Sequence, residues 1–232
     1  MILARLKSTE LMKRAGNAAE EPGFTLVELL ALCVLVGLMA LLVLPTAARA
    51  KQRAVQASCQ SNLQQIGFAL QTYADFNRDY LPGPVFALAD PECRPSATNQ
   101  LVYFLAGRLG FPARSNGASL APLLVCPAQT MAGPSEPMAL RRGSYILNEG
   151  RNGGKALSGA PFGSPIAPIL PSMSLTAIAG CAPTATCFAV ADADKGNVNA
   201  TMAGWSALPY QPVHGKARNQ LFFDWHVGSK PW

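Results

Sequence analysis

Glu28 stands out first for its chemistry, because it is the only charge between Phe24 and Leu44. As a helix those 21 positions span about 30 Å, the hydrocarbon thickness of a bilayer. An ionised carboxylate at that depth costs a few kcal/mol, so it needs a cationic partner and marks function. Three further groups carry ligand chemistry. His214, Asp224 and His226 are types that bind metals or move protons, and Asp224 and His226 share a face if they lie on a strand. With His214 opposite they would make a three-ligand site. The competing and favoured reading makes Asp224 a turn former and the histidines packing or hydrogen-bonding partners of a hairpin. Asp192-x-Asp194-x-Gly196-Asn197-x-Asn199 sets oxygen ligands at alternate positions, as calcium requires, but lacks the bidentate Glu that closes a full calcium loop. Asp75-x-Asn77-x-Asp79 is a shorter run of the same kind, and such runs are first of all turns.

The six cysteines divide by place. Cys33 lies in the apolar run and acts there as a small hydrophobe. The other five, Cys59, Cys93, Cys126, Cys181 and Cys187, are an odd number, so at least one stays free or pairs between subunits. Cys181 and Cys187 close a short Ala-Pro-Thr-Ala-Thr loop and are the expected bridge. A zinc site is disfavoured because the chain has no Cys-x2-Cys pair and only two histidines.

The net charge of +6 is spread over Arg78, Arg94, Arg108, Arg114, Lys195, Lys216 and Lys230, with a looser cluster at Arg141, Arg142, Arg151 and Lys155. Nucleic-acid recognition calls for a concentrated basic stripe interleaved with aromatics, so no nucleic-acid partner is expected. There is no Gly-x-Ser-x-Gly elbow, phosphate-cradling glycine loop or framed pair of carboxylates, and the chain is not expected to be an enzyme.

These residues need elements to hold them. Val55, Cys59, Leu63, Ile66, Leu70 and Tyr73 recur at spacings of three and four, which makes one apolar stripe on a helix. The apolar segment 24–44 is therefore expected to continue, past a kink or brief break at Pro45, as an amphipathic stem over 45–78. Asn77-Arg78-Asp79-Tyr80-Leu81-Pro82-Gly83-Pro84 ends it, and 79–232 forms a globular head. Asn99–Leu109 is expected to be a short helix, and Gly143–Leu147, Thr186–Ala191 and Gln220–Val227 to be strands. Gly150–Ser172 is expected to be a loop. The fold class is α+β: a long N-terminal helix packed on a small antiparallel-sheet head.

An ordinary signal peptide would have a shorter apolar core followed by its cleavage site, whereas this core runs 21 residues and the Gly23-Phe24 junction lies before it. Gly23-Phe24-Thr25-Leu26-Val27-Glu28, after a segment bearing Arg5, Lys7, Lys13 and Arg14, resembles the precursors of type IV pilins and type II secretion pseudopilins. The resemblance implies a leader over 1–23 that a prepilin peptidase removes after Gly23, and N-methylation of Phe24. It also implies that Glu28 is the assembly residue, neutralised by the Phe24 ammonium of a neighbouring pilin-like subunit. The expected location is the inner membrane, crossed once, with the N-terminus cytoplasmic and the head outside the cytoplasm. A secretion or pilus assembly machinery would be the further partner. Ser58-Cys59-Gln60-Ser61-Asn62-Leu63, Val125-Cys126-Pro127 and Ser144-Tyr145-Ile146-Leu147-Asn148 are similar to blocks of the pilin-like proteins abundant in planctomycetes, verrucomicrobia and lentisphaerae. That group ends on a His, nine residues and Asp-Gly. Here His214 precedes Asp224-Trp225-His226-Val227, with Trp225 in place of the glycine, so the turn is either of another type or strained. Calcium is the one cofactor implied, since major pseudopilins hold it toward the C-terminal side of the head. The alternatives to a secretion pseudopilin are a minor pilin of a type IV pilus and a membrane-anchored binding or sensing module.

Overall fold

The computed structural model describes residues 23–94, 96–110, 119–131, 143–152, 155–202 and 205–232. The leader residues before Gly23, and Arg114, Arg141 and Arg142, lie outside them.

Helix α1 runs Leu26–Phe76 with Pro45 inside it, so the break considered at that proline does not occur. A proline in a helix removes one amide donor and crowds the preceding turn. Next to it, the Thr46 hydroxyl donates back to the Val43 carbonyl at 2.8 Å. The start of α1 is a capping box. The Thr25 amide and hydroxyl each donate to Glu28 Oε2 at 2.9 Å, and the Glu28 amide donates to Thr25 Oγ1 at 3.3 Å.

The chain divides into two compact units, Met1–Arg49 and Ala50–Trp232. In the first, the described apolar side chains from Phe24 to Leu44 are exposed, Leu26 being 81% exposed and Leu42 73%. This helix is long and apolar enough to cross a membrane. In the second, Cys59, Leu63, Ile66 and Leu70 of α1 are fully buried in one core with Leu101, Leu105, Leu124, Tyr145, Val190 and Leu221. At about 1.5–3 kcal/mol for each fully buried aliphatic side chain, this stripe binds the second half of the helix into the head. The helix comes close to the sheet at Gly67, where an added Cβ would stand 2.8 Å from a methyl of Leu221.

The head is built on one antiparallel sheet of four strands: β3 (Tyr145–Leu147), β6 (Phe188–Asp192), β7 (Ala217–Phe222) and β8 (Val227–Pro231), in the order β3-β6-β7-β8. Around it, among the described residues, lie two small antiparallel strand pairs, β1 (Glu92–Cys93) with β2 (Ser119–Leu120) and β4 (Arg151–Asn152) with β5 (Lys155–Ala156), and the short α-helices α2 (Leu101–Leu105), α3 (Pro127–Met131) and α4 (Leu175–Cys181). An α+β architecture with a long apolar N-terminal helix and a small antiparallel sheet is thus present. Two expectations change. Gln220–Val227 is not one strand but the turn between β7 and β8 with its flanks. Gly150–Ser172 is not wholly loop, because it contains β4 and β5. Both changes reflect apolar and polar runs too short for period alone to separate strand from turn.

Candidate functional site

The turn after β7 holds Asp224 and His226, but not His214. Trp225 donates its amide to the Phe222 carbonyl at 2.9 Å and stands at φ 69°, the left-handed residue that follows a tight turn in a bulged hairpin. The position therefore keeps the conformation that suits glycine, and Trp225 is the strained choice of the two considered. Asp224 Oδ1 lies 2.5 Å from His226 Nδ1 and accepts the His226 amide at 3.2 Å, and the imidazole stacks on Phe222 at 4.3 Å. This exposed pair braces the turn, as the turn-forming reading expects.

His214 is turned the other way, into the head. Its side chain is 3% exposed, with Nε2 at 3.3 Å from Cys126 Sγ and 3.7 Å from Asp192 Oδ2. Cys126, next to the first residue of α3, is disulfide-bonded to Cys59 of α1, 67 residues earlier. Cys59, Cys126 and His214 are the one group of three metal-ligand side chains brought together among the described residues. No Cys-x2-Cys pair is needed to bring them together, because these three come from distant parts of the chain. Each lies in one of the blocks quoted above for other reasons, and that shared membership was the available signal.

Asp192, at the end of β6, is almost fully buried. Its Oδ2 accepts the Asn219 amide at 2.8 Å, while Oδ1 is buried without a hydrogen-bond partner. Burial pushes this carboxyl up to about 7, against the pull of the Asn219 hydrogen bonds. Burial pushes His214 down. The two groups are close enough to count as an ion pair, yet both shifts favour the neutral forms. Desolvation outweighs pairing in so dry a place.

The calcium reading does not survive the geometry. Asp194 is held by Arg218 in a two-pronged pair, Nε to Oδ2 at 2.5 Å and Nη2 to Oδ1 at 2.8 Å. Asn197 bridges the Asp194 amide and the Asp192 carbonyl, and Asn199 accepts from Thr201. The side-chain oxygens of Asp194, Asn197 and Asn199, and Oδ2 of Asp192, thus accept from separate protein partners rather than pointing together at one place. Asp79, of the shorter run, likewise accepts from the amide and hydroxyl of Thr176 at the start of α4.

The expected Cys181–Cys187 bridge is also corrected: both thiols are free. Cys181 ends α4, exposed, with Sγ 3.0 Å from the Ser158 hydroxyl, and that contact lowers its pKa. Cys187 faces the core, where burial raises its pKa. The short loop brings the two residues near in sequence while the helix end and the strand send their side chains to different environments.

At the other end of the chain, Gly23 and Phe24 precede the capping box, and Phe24 is 80% exposed. Glu28 therefore has a role that Thr25-x-x-Glu28 already spelled out, holding the first turn of α1. An open cleft of about 720 Å³ on the head is lined by Phe86, Leu88, Phe162, Ile166 and Met202, with Glu149 among them. Burial raises the pKa of Glu149.

Comparison with protein-family models, with curated proteins and with solved structures gives no match to this chain.

Proposed function

We propose that the chain is a pilin-like filament subunit, a pseudopilin of a type II secretion system, anchored by the first half of α1. A prepilin peptidase cuts after Gly23 and methylates Phe24, so the chain is an enzyme's substrate rather than an enzyme. The segment 24–44 crosses the inner membrane with its N-terminus cytoplasmic and its head outside. Extracted subunits then stack their apolar helices, and the Phe24 ammonium of one meets Glu28 of the next. The observation that carries the reading is one continuous helix whose first half is apolar and uncovered while its second half is built into the head. Such an uncovered stripe is stable in lipid or against other such helices, but not in water. The capping box adds that Glu28 is held at the helix start, one turn from the Gly23–Phe24 junction.

A second reading, a membrane-anchored binding module, is favoured by the apolar cleft with Glu149. Shearing cells and separating filaments from membranes distinguishes the two. The pilin-like reading expects the chain in the sheared filament pool together with other subunits. Recovery from the membrane pool alone, in cells that do assemble filaments, favours the binding module.

A further inference from the structure

We propose that Cys59, Cys126 and His214 form a zinc-class metal site when the two thiols are reduced. The sulfurs and an imidazole nitrogen lie within 4.8 Å of one another, and all three side chains are buried. Zinc takes sulfur at about 2.3 Å and imidazole nitrogen at about 2.0–2.1 Å, so neighbouring ligand atoms on a tetrahedral ion stand roughly 3.5 Å apart. Reduction frees the two sulfurs of the disulfide to separate to that spacing beside His214. Asp192 lies beside the site, its Oδ2 3.7 Å from the same nitrogen of His214 and held by the Asn219 amide.

Two thiolates and an imidazole select borderline-soft divalent cations over calcium or magnesium. The conversion balances simply. A dithiol gives two electrons and two protons to the Cys59–Cys126 disulfide, leaving two protein thiols and an oxidised dithiol. The cation then displaces the two thiol protons. Either form ties α1 to the same points of the head, so the metal replaces the covalent clip where the surroundings reduce it.

The test uses the full chain in detergent micelles, carrying no histidine tag, as purified and after dithiol reduction and anaerobic desalting. Cobalt(II) is the probe, because thiolate ligation gives it a charge-transfer absorption. The reduced chain should bind one equivalent with that absorption and release it to zinc. The disulfide form should show none. His214→Gln should weaken cobalt binding at least about tenfold, as losses at metal ligands and their supports do. Cys181→Ser/Cys187→Ser should bind as the parent does, which keeps the test decisive if His214→Gln fails to fold. Absence of the absorption from the reduced chain, equal binding by the disulfide form, or loss of binding in the Cys181/Cys187 variant would overturn the proposal.

Discussion

Cys59 and Cys126 are joined with their Cα atoms 5.4 Å apart, which fastens the middle of the long helix to the entrance of α3. A closed loop of 67 residues removes, in the chain-entropy account, about 4 kcal/mol of freedom from the unfolded state. Replacing both residues with alanine should therefore lower unfolding free energy by up to about that amount. Denaturant titration of the full chain in micelles measures it, and Cys181→Ser, which breaks no bridge, should leave the midpoint unchanged.

Thiol reactivity follows from the same arrangement. Cys181 is exposed with a lowered pKa and Cys187 is buried with a raised one, and thiolate exposure controls alkylation. Native iodoacetamide labelling followed by non-reducing peptide mapping should modify Cys181 first, leave Cys187 unlabelled until the head unfolds, and find Cys59 linked to Cys126. A Cys181–Cys187 peptide would reverse the assignment.

Trp225 offers a clean backbone test. A non-glycine residue in the left-handed region costs about 1–2 kcal/mol, whereas glycine is at home there. Trp225→Gly should accordingly be more stable than Trp225→Ala by about 1 kcal/mol, the opposite of the order found at ordinary strand or helix positions. Comparing the two variants by thermal unfolding cancels the shared loss of the indole's packing.

The stripe Cys59, Leu63, Ile66 and Leu70 was legible before any coordinates, because helical period and burial coincide there. So were β3 and β6, whose apolar runs are buried in the head. What escaped was everything decided at long range. The meeting of Cys59, Cys126, His214 and Asp192 depends on four distant segments folding together, and no local spacing encodes it. Arg218 capturing Asp194 is of the same kind, and it turned an apparent calcium loop into a braced turn. The capping box was different. Thr25 and Glu28 display it in a Thr-x-x-Glu spacing, and the same carboxylate is the one charge of an apolar run, so one residue carries two signals.

The two roles of Glu28 can be separated. Glutamine serves at the third helical position of a capping box as glutamate does, so Glu28→Gln keeps the helix start and removes only the charge. The variant should be cut after Gly23 and remain in the membrane, yet be depleted from sheared filaments. Quantifying it in both pools checks this, and unchanged entry into filaments would reduce Glu28 to its capping role.

The central claim is tested most directly by the mass of the mature N-terminus. Intact-protein and peptide mass spectrometry of the chain purified from its native membrane should find a terminus at Phe24 bearing one added methyl group. A terminus beyond Leu44, or a chain that retains residues 1–23, would contradict the account.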